Sequence, residues 1–334
     1  MKPTVLLSLL LSAISGAAEP SSPNPGLKYY YPVPPADPPQ TIKVDVCVYG
    51  GTPGGVAAAV QSKRLGKTAA LAVFRRHVGG MTAGGLTAMD LGNGASIGGI
   101  AHEFIEQASE ARKEARKPGN VSPELGFTPS RAETIFRGML EKENVPVYFE
   151  HRLKTVEKDG AKITALVFEN GNRIEAKMFM DATYEGDLFA RAGVKYFVGR
   201  ENNSDYGETL NGFHVAETHQ FRFPVDPYVK AGDPASGLLP GITGGPLPEK
   251  GTGDKRVQGY NFRMWAVAAE KGAPWPKPAN YNRGDFALLE RYLETGGPDT
   301  EWIFTYRSGP VKLNIGDCNN AGPISTDFVY AADK

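Results

Sequence analysis

The chain has 334 residues, 41% of them apolar and 22% charged, a balance that can fill the cores of two globular domains. Lysine plus arginine equals aspartate plus glutamate at 37 each, so no net field draws the chain to nucleic acid or to an anionic membrane surface. Two cysteines exclude a disulfide framework, and five histidines without ligand spacing offer no metal site.

Lys2 precedes an apolar run from Val5 to Ile14, and the small residues Ser15-Gly16-Ala17-Ala18 follow. That order is the one of a secretory signal peptide over residues 1–18, and the run is too short to span a bilayer. Residues 19–40 carry eight prolines without apolar periodicity, which predicts an extended linker. No later segment is long and apolar enough for membrane insertion. The mature chain is therefore expected to be exported, periplasmic or extracellular.

Val44 to Tyr49 predicts a strand buried on both faces of a parallel sheet, with Cys47 a buried free thiol within it. A glycine turn, Gly50-Gly51-Thr52-Pro53-Gly54-Gly55, leads into an alanine-rich helix from Val56 to Leu65 that Gly66 stops. Thr68 to Phe74 returns as a second strand, completing a right-handed βαβ unit. Gly79 to Gly99 is so rich in glycine that it predicts an irregular loop held against a ligand.

Helices are expected over Ile100–Ala115 and Pro129–Glu143, the second with Arg131, Glu133 and Lys142 outward and Ile135, Phe136, Met139 and Leu140 inward. A strand over Val145–Phe149 follows. Runs over Leu153–Glu157, Lys162–Glu169 and Arg173–Phe179, separated by Asp159-Gly160 and Asn170-Gly171-Asn172, predict a β-meander. Beyond Gly199 the pattern breaks into short strands and loops.

The glycine turn suits a dinucleotide. Such a fold needs glycine for the tight turn, for backbone approach to a pyrophosphate, and where helix packs on strand. The helix N-terminus then presents free N–H groups to the phosphates. Gly50 and Gly55 fill the first and third positions, and Thr52 stands where the second glycine belongs. The acid that normally ends the second strand and holds the ribose is missing from Leu71-Ala72-Val73-Phe74-Arg75-Arg76. Arg75 and Arg76 could instead meet a 2′-phosphate, or stand as solvated loop charges.

Further blocks carry a resemblance. They are His77-Val78-Gly79-Gly80-Met81-Thr82-Ala83-Gly84-Gly85-Leu86, Asp181-Ala182-Thr183-Tyr184-Glu185-Gly186-Asp187-Leu188, and Gln258-Gly259-Tyr260-Asn261-Phe262-Arg263, with Lys312-Leu313-Asn314-Ile315 weaker. With the glycine turn, they resemble FAD-dependent oxidoreductases of the glutathione-reductase-like superfamily, nearest to a bacterial, often exported family.

The resemblance implies an α/β chain with a Rossmann-like FAD/NAD(P)-binding fold, a β-meander and a mixed α+β substrate domain. The FAD-binding domain would occupy residues 41–200, and residues 201–334 a partial substrate or cap domain. It implies FAD as cofactor and hydride transfer between flavin and a small-molecule substrate. It would place Gly50, Gly51, Thr52, Pro53, Gly54, Gly55, Gly79, Gly80, Met81 and Asp181 at the cofactor.

Glu185 and Asp187 could cap the next helix or touch the cofactor. His77 adjoins the glycine loop, Tyr260 and Arg263 are candidates to face a substrate, and no catalytic base is readable. With flavin as the cofactor, solvated charges are the better reading of Arg75 and Arg76. Members of this superfamily are usually longer, so the chain is expected to be C-terminally incomplete and to hold FAD weakly alone. The alternatives are an NADP-dependent oxidoreductase, or a non-catalytic exported binding protein on a flavoprotein scaffold. No oligomeric state follows from the pattern.

Overall fold

A computed structural model describes residues 33–85, 93–115, 128–215, 224–258, 261–266, 277–295, 311–316 and 328–330. The expected signal peptide and most of the expected linker lie outside the described residues. So do Leu86, Tyr260, His219 and Cys318.

Strand β1 (Thr41–Tyr49) leads into helix α1 (Pro53–Arg64) and strand β2 (Ala69–Ala72). The central sheet is completed by β3 (Val147–Tyr148), β4 (Leu153–Asp159), β5 (Lys162–Phe168) and β6 (Arg173–Asp181), in the order β3-β2-β1-β6-β5-β4. The first four neighbours in that order run parallel, and β5 and β4 continue the sheet antiparallel. The expected βαβ unit and meander are both present, the meander as one edge of the same sheet. This is the Rossmann-like arrangement.

Alternation in β1 sorts the core. Val46 and Val48 face one side, where they pack with Val56 and Val60 of α1 and with α4 (Pro129–Lys142). Helix α3 (Gly99–Ala115) closes that layer, with Phe104 stacked on Phe136 at 4.4 Å between ring centroids. Cys47 and Tyr49 face the other side, against Leu166, Phe168 and Ile174 of the meander and Leu188 of helix α5 (Asp187–Arg191). Cys47 is a fully buried free thiol, as its place in the strand pattern implied, and burial pushes its pKa up to about 12.

Two expectations need correction. The stretch from Gly79 to Gly99 is not wholly irregular. Gly80–Ala83 forms a single helical turn, α2, and Gly94–Ser96 a 3-10 turn. Gly79 and Gly80, both at positive φ, open the first of these, so the glycines here set its boundary rather than dissolve it. Glu133 also does not point outward. It turns in toward His77 and Arg137.

Beyond the sheet come α6 (Asn203–Tyr206), the hairpin β7 (Tyr228–Lys230) and β8 (Asp233–Leu238), and α7 (Ala287–Glu294). Strand β9 (Arg256–Gln258) pairs with β12 (Phe328–Tyr330), and β10 (Asn261–Ala266) with β11 (Val311–Gly316). Arg263 lies opposite Asn314 in that last pair, so the two late sequence blocks meet as one antiparallel ladder. Among the described residues no helix is long and apolar enough to cross a membrane.

Candidate functional site

Tyr49 and Asp181 are partners in the register of β1 and β6, so the turns that follow them leave the same sheet edge. In the first turn, Gly50 has φ +120°, and a Cβ there would lie 2.5 Å from the Ala182 carbonyl. A Cβ on Gly55 would lie 1.9 Å from the Gly50 oxygen. Strand end, helix start and β6 exit are therefore in direct backbone contact.

Thr52 is the N-cap of α1 and Pro53 follows at the first helical position. The Gly55 N–H donates to Thr52 Oγ1 (3.1 Å), and the Thr52 hydroxyl donates to the Ala182 carbonyl (2.7 Å). Threonine in place of the middle glycine thus supplies a tie that glycine lacks.

The second wall is the Gly79–Met81 segment. Gly79 N–H donates to the Gly51 carbonyl (2.7 Å), fixing α2 beside the glycine turn. Met81 N–H donates to the Tyr184 hydroxyl (2.9 Å), joining α2 to the loop after β6.

Asp181 holds that loop. Its Oδ1 accepts from Thr183 N–H (2.9 Å) and Thr183 Oγ1 (2.7 Å), and its Oδ2 from Leu188 and Phe189 N–H (2.9 and 3.0 Å). The carboxylate caps α5 from six residues upstream of the helix. Glu185 and Asp187, the two residues expected as possible caps, do not cap it, and Asp187 pairs instead with Arg191 at 3.1 Å.

Two cavities flank these walls. One of about 590 Å³ is lined by Thr52, Pro53, Gly54, Met81, Asp181 and Thr183. The other, of about 580 Å³, is lined by Gly50, Gly51, Val73, Arg75, His77 and Glu133. Thr52, Met81, Thr183 and Tyr184 border both. Of the ten residues that sequence reasoning placed at the cofactor, eight line one cavity or the other, and Gly55 and Gly79 line neither.

Sequence reasoning missed Tyr184, which stood inside a quoted block without a role, and Glu133. No local signal marks Glu133, because an acid on a helix surface reads as solvated. The other described histidines are dispersed: His102 lies beside Glu106 at 3.6 Å, His151 is buried, and His214 is exposed.

FAD, the cofactor the resemblance implies, can be tested against this geometry. A pyrophosphate needs a helix N-terminus with nothing standing over it. Gly54 leaves room there: a Cβ added to it would meet only the Thr52 hydroxyl, at 3.7 Å, which already takes the Gly55 N–H. Gly54 is thus the one glycine of the motif that no neighbour requires, and it borders the 590 Å³ cavity. The phosphate end fits.

The ribose end departs from the expected pattern. Val73 is 1% exposed and packs on Gly51, and Phe74, Arg75 and His77 after it border the cavity of about 580 Å³. Arg76 pairs with Glu150 (2.7 Å) and Arg75 lies over the Phe74 ring, both exposed.

A family model described as "FAD dependent oxidoreductase" matches residues 45–333. Solved structures similar to the chain include a geranylgeranyl bacteriochlorophyll reductase-like protein from Thermoplasma acidophilum (23% identity, 47% of this chain and 43% of that one, TM-score 0.33). Others are a flavin-containing monooxygenase from Stenotrophomonas maltophilia (19%, 42% and 38%, 0.30) and L-proline dehydrogenase from P. horikoshii (16%, 49% and 59%, 0.34). The chain spans less than two thirds of the length of each. None of the curated proteins compared matches it.

Proposed function

We propose that this chain, which belongs to the FAD-dependent oxidoreductase family, binds FAD with its pyrophosphate over the β1–α1 turn and serves hydride transfer to or from a small substrate. Flavin supplies the two-electron chemistry when bound, so no protein nucleophile is required. The residues of the chain supply binding and orientation.

Gly50, Gly51 and Gly55 bring backbone close together, Gly54 leaves the approach to the first turn of α1 clear, and Thr52 and Pro53 fix that helix end. Gly79, Gly80 and Met81 would run beside the cofactor, with Tyr184 holding them. Asp181 would act by shaping the β6–α5 loop, since both its oxygens are engaged by that loop. Export completes the proposal. It rests on the leader-like residues 1–18 and would leave a mature chain starting at Ala18 or Glu19, which intact mass measurement reads directly.

The observation that carries the reading is the open space at Gly54 beside three glycines crowded by neighbours. The test is Gly54→Ala. A methyl at this helical position is expected to leave stability unchanged or raise it by about 0.5 kcal/mol, because alanine favours helix. It is also expected to weaken FAD binding, followed by flavin fluorescence, about tenfold or more. Unchanged FAD binding in a stable Gly54→Ala chain would refute the placement.

A further inference from the structure

The end of β2 lacks a carboxylate and the neighbouring wall offers an imidazole. Val73 is buried at the strand end, whereas His77, four residues on, lines the same cavity with its side chain 74% exposed. His77 is not loose. Its Nδ1 lies 2.8 Å from Glu133 Oε2, on helix α4.

Glu133 is itself held on its other oxygen, where Oε1 accepts from Arg137 Nε (2.9 Å) and Nη2 (2.6 Å). Arg137 Nη2 also donates to the Arg76 carbonyl (3.1 Å), and the guanidinium lies 4.8 Å from the Phe149 ring centroid. Burial pushes the Glu133 pKa upward, but the bonds from His77 and Arg137 outweigh it and hold the carboxyl below its ordinary value. An ionised carboxylate only accepts, so the proton of the pair sits on His77 Nδ1.

We propose that His77, oriented by Glu133, is the group that recognises the ribose hydroxyls of the adenosine half of the dinucleotide. The inference rests on the FAD reading above and adds to it the residue that replaces the missing acid. With Nδ1–H committed to Glu133, Nε2 is the ring nitrogen left for a ligand in the cavity that His77 lines, and as the unprotonated nitrogen of that tautomer it would accept a hydroxyl hydrogen as a carboxylate would. Arg137 meets the charge of Glu133, which is 18% exposed and pinned from two sides, so the imidazole presents the acceptor and the acid positions it. A carboxylate can take both ribose hydroxyls, whereas Nε2 takes one. The preference for a hydroxylated ribose is therefore that of a single hydrogen bond, roughly three- to tenfold.

The experiment uses the full chain and reads binding alone. FAD is titrated by fluorescence quenching, and ADP and 2′,3′-dideoxy-ADP by calorimetry into the millimolar range. The wild-type chain is expected to prefer ADP over its dideoxy analogue by that factor. His77→Ala should abolish the preference and weaken FAD equally, with unchanged Tm, because the side chain is exposed. His77→Gln, whose amide oxygen can accept, should restore part of it. If His77→Ala keeps the preference, or the wild type has none while binding ADP and FAD, the inference falls and the FAD reading stands. A wild-type chain that binds neither FAD nor ADP at any concentration overturns both.

Discussion

The turn after β1 and the turn after β2 leave the same edge of the same sheet, yet they are built by different means. The first is made of backbone: Gly50, Gly55 and Ala182 are packed so closely that no side chain fits between them. The second adds side chains to its backbone ties, with Arg76 on Glu150 and with His77, Glu133 and Arg137 linked to one another. Backbone packing tolerates almost no change, and surface ion pairs tolerate nearly any, since exposed pairs contribute less than about 1 kcal/mol. One edge thus combines a rigid end and an adjustable end.

The strongest way to break that contrast is Gly55→Ala. A Cβ 1.9 Å from the Gly50 oxygen forces helix and strand apart, and the expected loss is about 3 kcal/mol or more in urea melts. Should Gly55→Ala cost less than a surface substitution near His77, the first turn is not the rigid one.

A smaller effect is expected at Thr52. Thr52→Ala removes the α1 cap and leaves the Ala182 carbonyl without the threonine hydroxyl, a loss of about 1–2 kcal/mol that Thr52→Ser should largely recover.

The mildest test sharpens the second turn from beneath. His151 N–H donates to the Val73 carbonyl (2.9 Å), so this buried histidine underlies the β2 tip. Its Nδ1–H donates to the Phe149 carbonyl (2.8 Å) and its Nε2 accepts from Asn172 Nδ2 (3.0 Å), which keeps it neutral. Burial lowers its pKa in the folded chain from the ordinary 6.5, more than the Phe149 bond raises it. Below pH 6.5 the unfolded chain therefore binds a proton that the folded chain refuses, and stability is lost as pH falls toward the depressed value. Thermal melts between pH 7.5 and 5.5 should fall more steeply for the wild type than for His151→Gln. Parallel slopes would show that His151 does not titrate the tip.

The same contrast explains what the sequence made legible. Glycines record close backbone approach, and their spacing in Gly50 to Gly55 and at Gly79-Gly80 marks the chain just after β1 and β2, where the structure packs them against backbone and side chains. Strand and helix periods likewise located β1, α1, α4 and the meander to within a few residues. Side chains that cooperate across long separations leave no such record. His77 and Glu133 are 56 residues apart, and Glu133 has the sequence context of any solvated helix acid. Asp181 was legible as important but not in its function, because a carboxylate that caps a helix six residues on has no fixed spacing. The absent β2 acid was visible as a gap, but what filled the gap was not.

The tie from the Thr52 hydroxyl to the Ala182 carbonyl also dates the assembly of the cradle. The two residues are separated by 130 positions, and β6 joins β1 only once the meander between them has been made. Loop-closure entropy makes so distant a pairing slow to form even afterwards. The glycine turn, early in the chain, is therefore finished only when β6 docks beside it, and under the proposed FAD reading the dinucleotide would load after that docking.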